Sequence, residues 1–175
     1  MTSPAVTSTF VPAWLREPLP GVPALLQPVA QALVDADEDV QKFVPPLSQP
    51  EIAARPGGAA SVVYHVRHAM GSLDRLFTYA RGETLSDEQL RTLSGEKALD
   101  PASFTATQLA SDFAAAVQRA LGQLRATSLD SLLERRYVGR SRTPSTTIAC
   151  LFHGAEHTAR HVGQIVTTAK IVRQQ

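Results

Sequence analysis

Apolar residues recur at three- and four-residue steps along most of the chain, and this spacing sets the first expectation. From about Pro23 to Val44 the series Leu25, Leu26, Val29, Leu33, Val40 and Phe43 follows the helical period, with Asp35, Asp37, Glu38 and Asp39 mainly elsewhere on the wheel. Pro28 suits the first turn of that helix, or a kink in it, and Pro45-Pro46 ends it. After the loop signal Arg55-Pro56-Gly57-Gly58, a second helix is predicted from Ala59 to about Ala80, closed by Gly82. Ser86-Asp87-Glu88-Gln89 has the form of a capping box and starts a short helix ending near Gly95. Thr105 or Thr107 caps a third long helix to about Ala126, with Leu109, Phe113, Val117, Ala120, Leu121 and Leu124 on one face. The segment 127–142 is ambiguous, with a turn of helix drawn from Leu129, Leu132 and Leu133 before Arg135-Arg136. Thr143-Pro144 predicts the N-cap and first residue of a last helix running to Val172.

No run shows sustained two-residue alternation, and neither Asn-Gly nor Asp-Gly occurs, so no strand is expected. Four long helices with three connections, two of them long, predict an all-α four-helix bundle. Residues 1–20 read as an irregular, proline-containing segment that docks through Phe10, Val11, Trp14 and Leu15; residues 21–175 read as the bundle domain.

Composition narrows the class. The chain has 175 residues, 43% hydrophobic and 19% charged, which excludes disordered, collagen-like and coiled-coil proteins. Seventeen Lys+Arg against sixteen Asp+Glu leave a net +1 without a basic block, so nucleic acid is not an expected partner. The first 20 residues lack a basic start and an apolar core, and no apolar run approaches the roughly eighteen residues of a spanning helix. A cytoplasmic location, away from membranes, is therefore expected. The single cysteine, Cys150, cannot form an internal disulfide and reads as a buried, inert thiol.

The candidate chemistry lies in the histidines. All five fall in two short windows, His65 and His68 on the second helix and His153, His157 and His161 on the last. Steps of four drift by only about 40° around a helix, so the last three share one face. Imidazole is a common ligand for zinc, nickel, copper and iron, and a helical i, i+4 pair holds one ion with both rings. The second helix offers a third ligand. Three protein ligands with a fourth position left for water form the pattern of a catalytic rather than a structural zinc site. Against this stands the plainer reading, histidines hydrogen-bonded in a helical core.

The run His157-Thr158-Ala159-Arg160-His161-Val162-Gly163-Gln164, with the earlier His68-Ala69-Met70-Gly71-Ser72-Leu73-Asp74-Arg75, resembles the DinB/YfiT-like superfamily, from about Trp14 to Val172. The resemblance implies an up-down-down-up bundle with a long crossover, a homodimer, and one divalent metal ion, zinc or nickel, on His68, His157 and His161. It also implies a small-molecule substrate, a thiol among the candidates, with hydrolase or thiol-transferase chemistry. The alternative is a non-catalytic metal-binding or stress-response bundle, and behind it a metal-free interaction module.

His65 and His153 are extra to that triad, each open as an alternative ligand, a partner of a ligand, a proton carrier or a core residue. Tyr64, Ser72, Arg75 and Tyr79 share the side of the helix that carries His68. Of these, Tyr64 and Arg75 join His65 and His153 as candidates around the reacting groups. The fork of Arg75 suits a substrate carboxylate or phosphate, or else a salt bridge with Asp74 or an acid of the first helix. Glu156 reads as a solvated or salt-bridged carboxylate, and the Arg135, Arg136, Arg140 and Arg142 run as a solvated loop. Gly154 and Gly163 mark close packing against a neighbouring helix or room for a ligand.

Overall fold

The computed structural model describes residues 11–174. Its long helices are α1 (Gln27–Phe43), α3 (Val62–Ala80), α5 (Ala106–Ala126) and α6 (Thr147–Val172), with short helices α2 (Gln49–Ala53) and α4 (Asp87–Gly95) in the connections. Local caps account for most boundaries. Ser61 Oγ accepts the Tyr64 N–H at 3.2 Å to start α3, and Thr105 Oγ1 accepts the Gln108 N–H at 3.2 Å to start α5. The Ser86–Gln89 capping box opens α4 as expected, and Pro28 occupies the first turn of α1. Gly82, just past α3, takes φ +80°, a conformation that Cβ-bearing residues resist. Helix α2 was not anticipated, although Ser48 and Glu51 form a capping box in which the Ser48 N–H donates to the Glu51 carboxylate at 2.7 Å.

Four expectations are corrected. Strands β1 (Arg135–Val138) and β2 (Thr143–Thr146) form a two-stranded antiparallel hairpin, Tyr137 opposite Pro144, where no strand was expected. Each strand is only four residues long, too short to show alternation, and the turn is set by positive φ at Gly139 and Arg142 rather than by a two-residue Gly turn. Pro144 is tolerated because such a ribbon consists entirely of edges. The last helix consequently starts at Thr147, capped by Thr146, not at Thr143-Pro144. The arginine run is no free loop either: Arg136 Nε donates to the Ala80 carbonyl at 2.7 Å and fastens the hairpin to the end of α3.

The fourth correction concerns the N-terminal segment. Val11, Trp14 and Leu15 are exposed, Trp14 at 64%, and Phe10 lies outside the described residues. The segment is held instead by the buried Ala13, whose N–H donates to Asp35 Oδ1 at 2.7 Å, by Leu19 against the core, and by Arg16, which pairs with Glu38 on α1. Leu25 likewise faces solvent, while Leu26, Leu33 and Val40 are wholly buried.

α3 packs against α5 and α6, and α1 against the same two helices. Side chains at the helix ends record how they align. Gln41 donates to the Ala110 carbonyl, Arg125 to the Pro20 carbonyl and Gln123 to the Phe77 carbonyl, while Lys170 sits over the Phe43 ring. Leu33, Val40, Val63, Val66, Leu109, Phe113, Leu151 and Ile165 are among the residues filling the space between the four. At the α3–α6 contact a Cβ on Gly154 would stand 2.9 Å from the Phe77 ring, so the expected close packing is met there. It is not met at Gly163, where an added Cβ would meet nothing within 4 Å. No helix of the described residues is long and apolar enough to cross a membrane.

Candidate metal centre

The close α3–α6 contact brings the two histidine windows together. One ligand atom each from His68, His157 and His161 lie within 4.8 Å of one another. The ring centroids of His161 are 4.6 Å from those of both His68 and His157, although α3 and α6 carry them some ninety positions apart in sequence order. All three residues are half-buried.

The second nitrogen of two rings is engaged. His68 Nδ1 lies 2.7 Å from Glu96 Oε2, and His161 Nδ1 lies 3.0 Å from His65 Nδ1. His157 Nδ1 is buried and has no hydrogen-bond partner among the described residues. A buried ring nitrogen without a partner is costly unless an electrophile satisfies it. Three imidazoles that bring ring nitrogens to one point are a donor set that suits zinc or nickel.

Protonation supports the same use. Burial lowers the pKa of His161 to about 4, with the neighbouring His68, His157 and His65 adding repulsion against a further positive charge. Burial also lowers His157 and His65, reinforced at His157 by His68 and His153 and at His65 by His68. These rings are therefore neutral near pH 7, the form that binds metal.

The remaining candidates fall into distinct places. His65 is 7% exposed and adjoins His161, whereas His153 is exposed at the rim, its ring 5.6 Å from that of His157 and its Nδ1 3.4 Å from Glu156. Glu156 also pairs with Arg160, which bears out the salt-bridged reading. Tyr64 stacks on His68, planes 5° apart and centroids at 5.5 Å. Cys150 is buried, its thiol pKa raised by that burial. Gln164 is exposed.

Arg75 makes a salt bridge, but to neither expected acid: its Nη1 donates to Glu96 Oε1 at 2.6 Å. Glu96 is the residue that sequence reasoning missed. It stands 28 positions from His68 on a 3-10 turn, Glu96–Ala98, between α4 and α5, and is only 6% exposed. Burial opposes its charge, yet hydrogen bonds from His68 and Arg75 hold its carboxyl below the ordinary glutamate value. The one available signal was Gly71, a mid-helix glycine whose added Cβ would meet Arg75 Nη1 at 2.8 Å and Glu96 Oε1 at 2.9 Å.

A cavity of about 460 Å³ adjoins this arrangement, walled by Tyr64 and Glu96 and by Ser61, Arg55, Lys97 and Pro101. A second, of about 450 Å³, has Gly71, Arg75 and Arg119 in its wall.

The two long helices α3 and α6 bring His68, His157 and His161 around one point, a cluster that could hold a metal ion. The chain belongs to the DinB superfamily, whose family model matches residues 32–165. No curated protein matches it.

Proposed function

We propose that the protein is a divalent-metal-dependent enzyme of the DinB type, with His68, His157 and His161 as ligands. The observation that carries this reading is the convergence of three ring nitrogens within 4.8 Å, one ring retaining a buried nitrogen with no other partner. Family membership and the aligned helix ends support an up-down-down-up bundle, with residues 81–105 as its crossover.

When bound, zinc or nickel would act as a Lewis acid, polarising an oxygen or lowering the pKa of a water or thiol. The protein's own residues supply the rest. In this reading the Nδ1–H of His161 donates to His65 Nδ1, 3.0 Å away, which leaves Nε2 of His161 for the ion. Tyr64 covers one face of His68 and forms part of the wall of the adjoining cavity, where Arg55 and Lys97 favour an anionic group on a small substrate. His153, exposed beside His157, is placed to exchange protons with solvent.

A second reading is a non-catalytic ion that ties α3 to α6, favoured by the ligands' origin on the two helices that Gly154 already packs tightly. Elemental analysis of untagged protein is the first test. About one equivalent of metal is expected in the wild type and none in His157→Ala/His161→Ala. No metal in either protein, even after reconstitution, overturns the proposal. Turnover of thiol and ester substrates by the loaded protein, abolished in the same variant, selects the enzyme over the structural ion.

A further inference from the structure

Glu96 touches two cations or cation-like groups, and the two differ in what they permit. The Arg75 guanidinium can only donate hydrogen bonds, whereas His68 Nδ1 donates or accepts according to its tautomer. Oε1 is 2.6 Å from Arg75 Nη1, and Oε2 is 2.7 Å from His68 Nδ1. A carboxylate held by arginine accepts on both oxygens, so the His68 proton must sit on Nδ1. The lone pair of that ring is then on Nε2, the nitrogen that Glu96 leaves open.

We infer that Glu96 is a positioning residue: oriented by Arg75, it fixes His68 in the Nδ1–H tautomer and so presents Nε2 to a metal ion. The inference rests on the metal reading above for its purpose but not for its tautomer, which the contacts set in the metal-free protein. Three further observations support a built arrangement. Glu96 and Arg75 are both buried, at 6% and 8% exposure, so water does not compete strongly for either. Gly71 leaves the space in which their ion pair lies, at a helix position where glycine costs about 1 kcal/mol relative to alanine. Tyr64, its ring stacked nearly parallel to that of His68, limits tilting of the His68 ring.

This polarity makes the isosteric variant the informative one. In Glu96→Gln the amide must turn its oxygen to Arg75, since an NH2 facing a guanidinium would set donor against donor. Its NH2 then faces His68 Nδ1, which has to accept, and the ring proton moves to Nε2. A near-perfect steric replacement is thus expected to withdraw the ligating lone pair. In Glu96→Gln/Arg75→Met the amide is released to turn its oxygen back to His68.

The test reads two quantities in the wild type and these two variants. One is the ring nitrogen spectrum of His68 in metal-free protein, by long-range proton–nitrogen correlation. The other is the zinc dissociation constant, by competition with a chromophoric chelator. Expected are Nδ1–H in the wild type, Nε2–H in Glu96→Gln with zinc affinity lower by about 10–100-fold, and partial return of both in the double variant. A His68 that keeps its Nδ1 proton in Glu96→Gln, or zinc bound by that variant as tightly as by the wild type, overturns the inference. A loss of affinity that the double variant does not relieve also overturns it, because damage to the fold alone would not be repaired by a second substitution. Failure of the metal reading is separate: it appears as a wild type that binds no zinc, and the nitrogen spectra still decide the tautomer.

Discussion

At the scale of single residues, the site combines groups whose value depends on protonation. His161 titrates near 6.5 in an unfolded chain but at about 4 in the fold. Between those values the unfolded state binds the extra proton, so stability rises with pH. For metal-free protein this contribution is complete above about pH 6.5 and is lost as the pH falls toward 4, with His157 and His65 shifted in the same direction. Urea midpoints measured from pH 4 to 7.5 should show that slope, and His161→Gln should flatten it. Gly71→Ala is a second residue-scale prediction. It gains helix propensity of up to about 1 kcal/mol but displaces the Arg75–Glu96 pair, so zinc affinity should fall while the metal-free helix content holds. Chelator competition and circular dichroism read the two effects. The His157 and His161 pair was legible because a four-residue step on one helix is visible in the sequence, whereas His68 rather than His65 followed only from the family resemblance. Glu96 was not, because its contact with His68 spans 28 positions and comes from a turn with no periodicity.

At the scale of elements, the corrected start of α6 has a measurable signature. Thr146 Oγ1 accepts the Ala149 N–H at 3.3 Å, so Thr146→Ala should cost about 1 kcal/mol. Thr143→Ala, out in β2, should cost much less, whereas a cap at Thr143 would reverse the order; urea unfolding of the two variants distinguishes them. Gly154→Ala should be worse than either, by about 1–3 kcal/mol, since the added methyl meets the buried Phe77 ring and Leu73. The helices were readable because caps and the 3.6-residue period are local properties. The hairpin was not, because its pairing is a relation between two segments that each look like loop. Trp14 misled for a related reason: its size suggested burial, while the segment is held by the Ala13 N–H and the Arg16 side chain on acids of α1.

At the scale of the whole molecule, the three-histidine cluster joins α3 and α6, two helices packed against each other. An ion that binds only the folded state stabilises it by about 2.7 kcal/mol at a hundredfold excess over Kd. Added zinc should therefore raise the melting temperature, and a chelator should reverse the rise. The effect should vanish in His157→Ala/His161→Ala. The linkage reaches beyond the helices through Glu96, and this changes what kind of segment the α4–α5 connection is. Surface connections generally absorb extra residues with little penalty. The tip of the hairpin, Gly139 to Arg142, is of that tolerant kind. The turn Glu96–Ala98 is not, because its length is measured against a fixed point, the His68 ring. A two-residue insertion after Gly95 would leave every helix its own caps and core, yet set the carboxylate out of reach of the ring it serves. Spacer length in this stretch is thus as much a part of the candidate centre as the identity of its histidines.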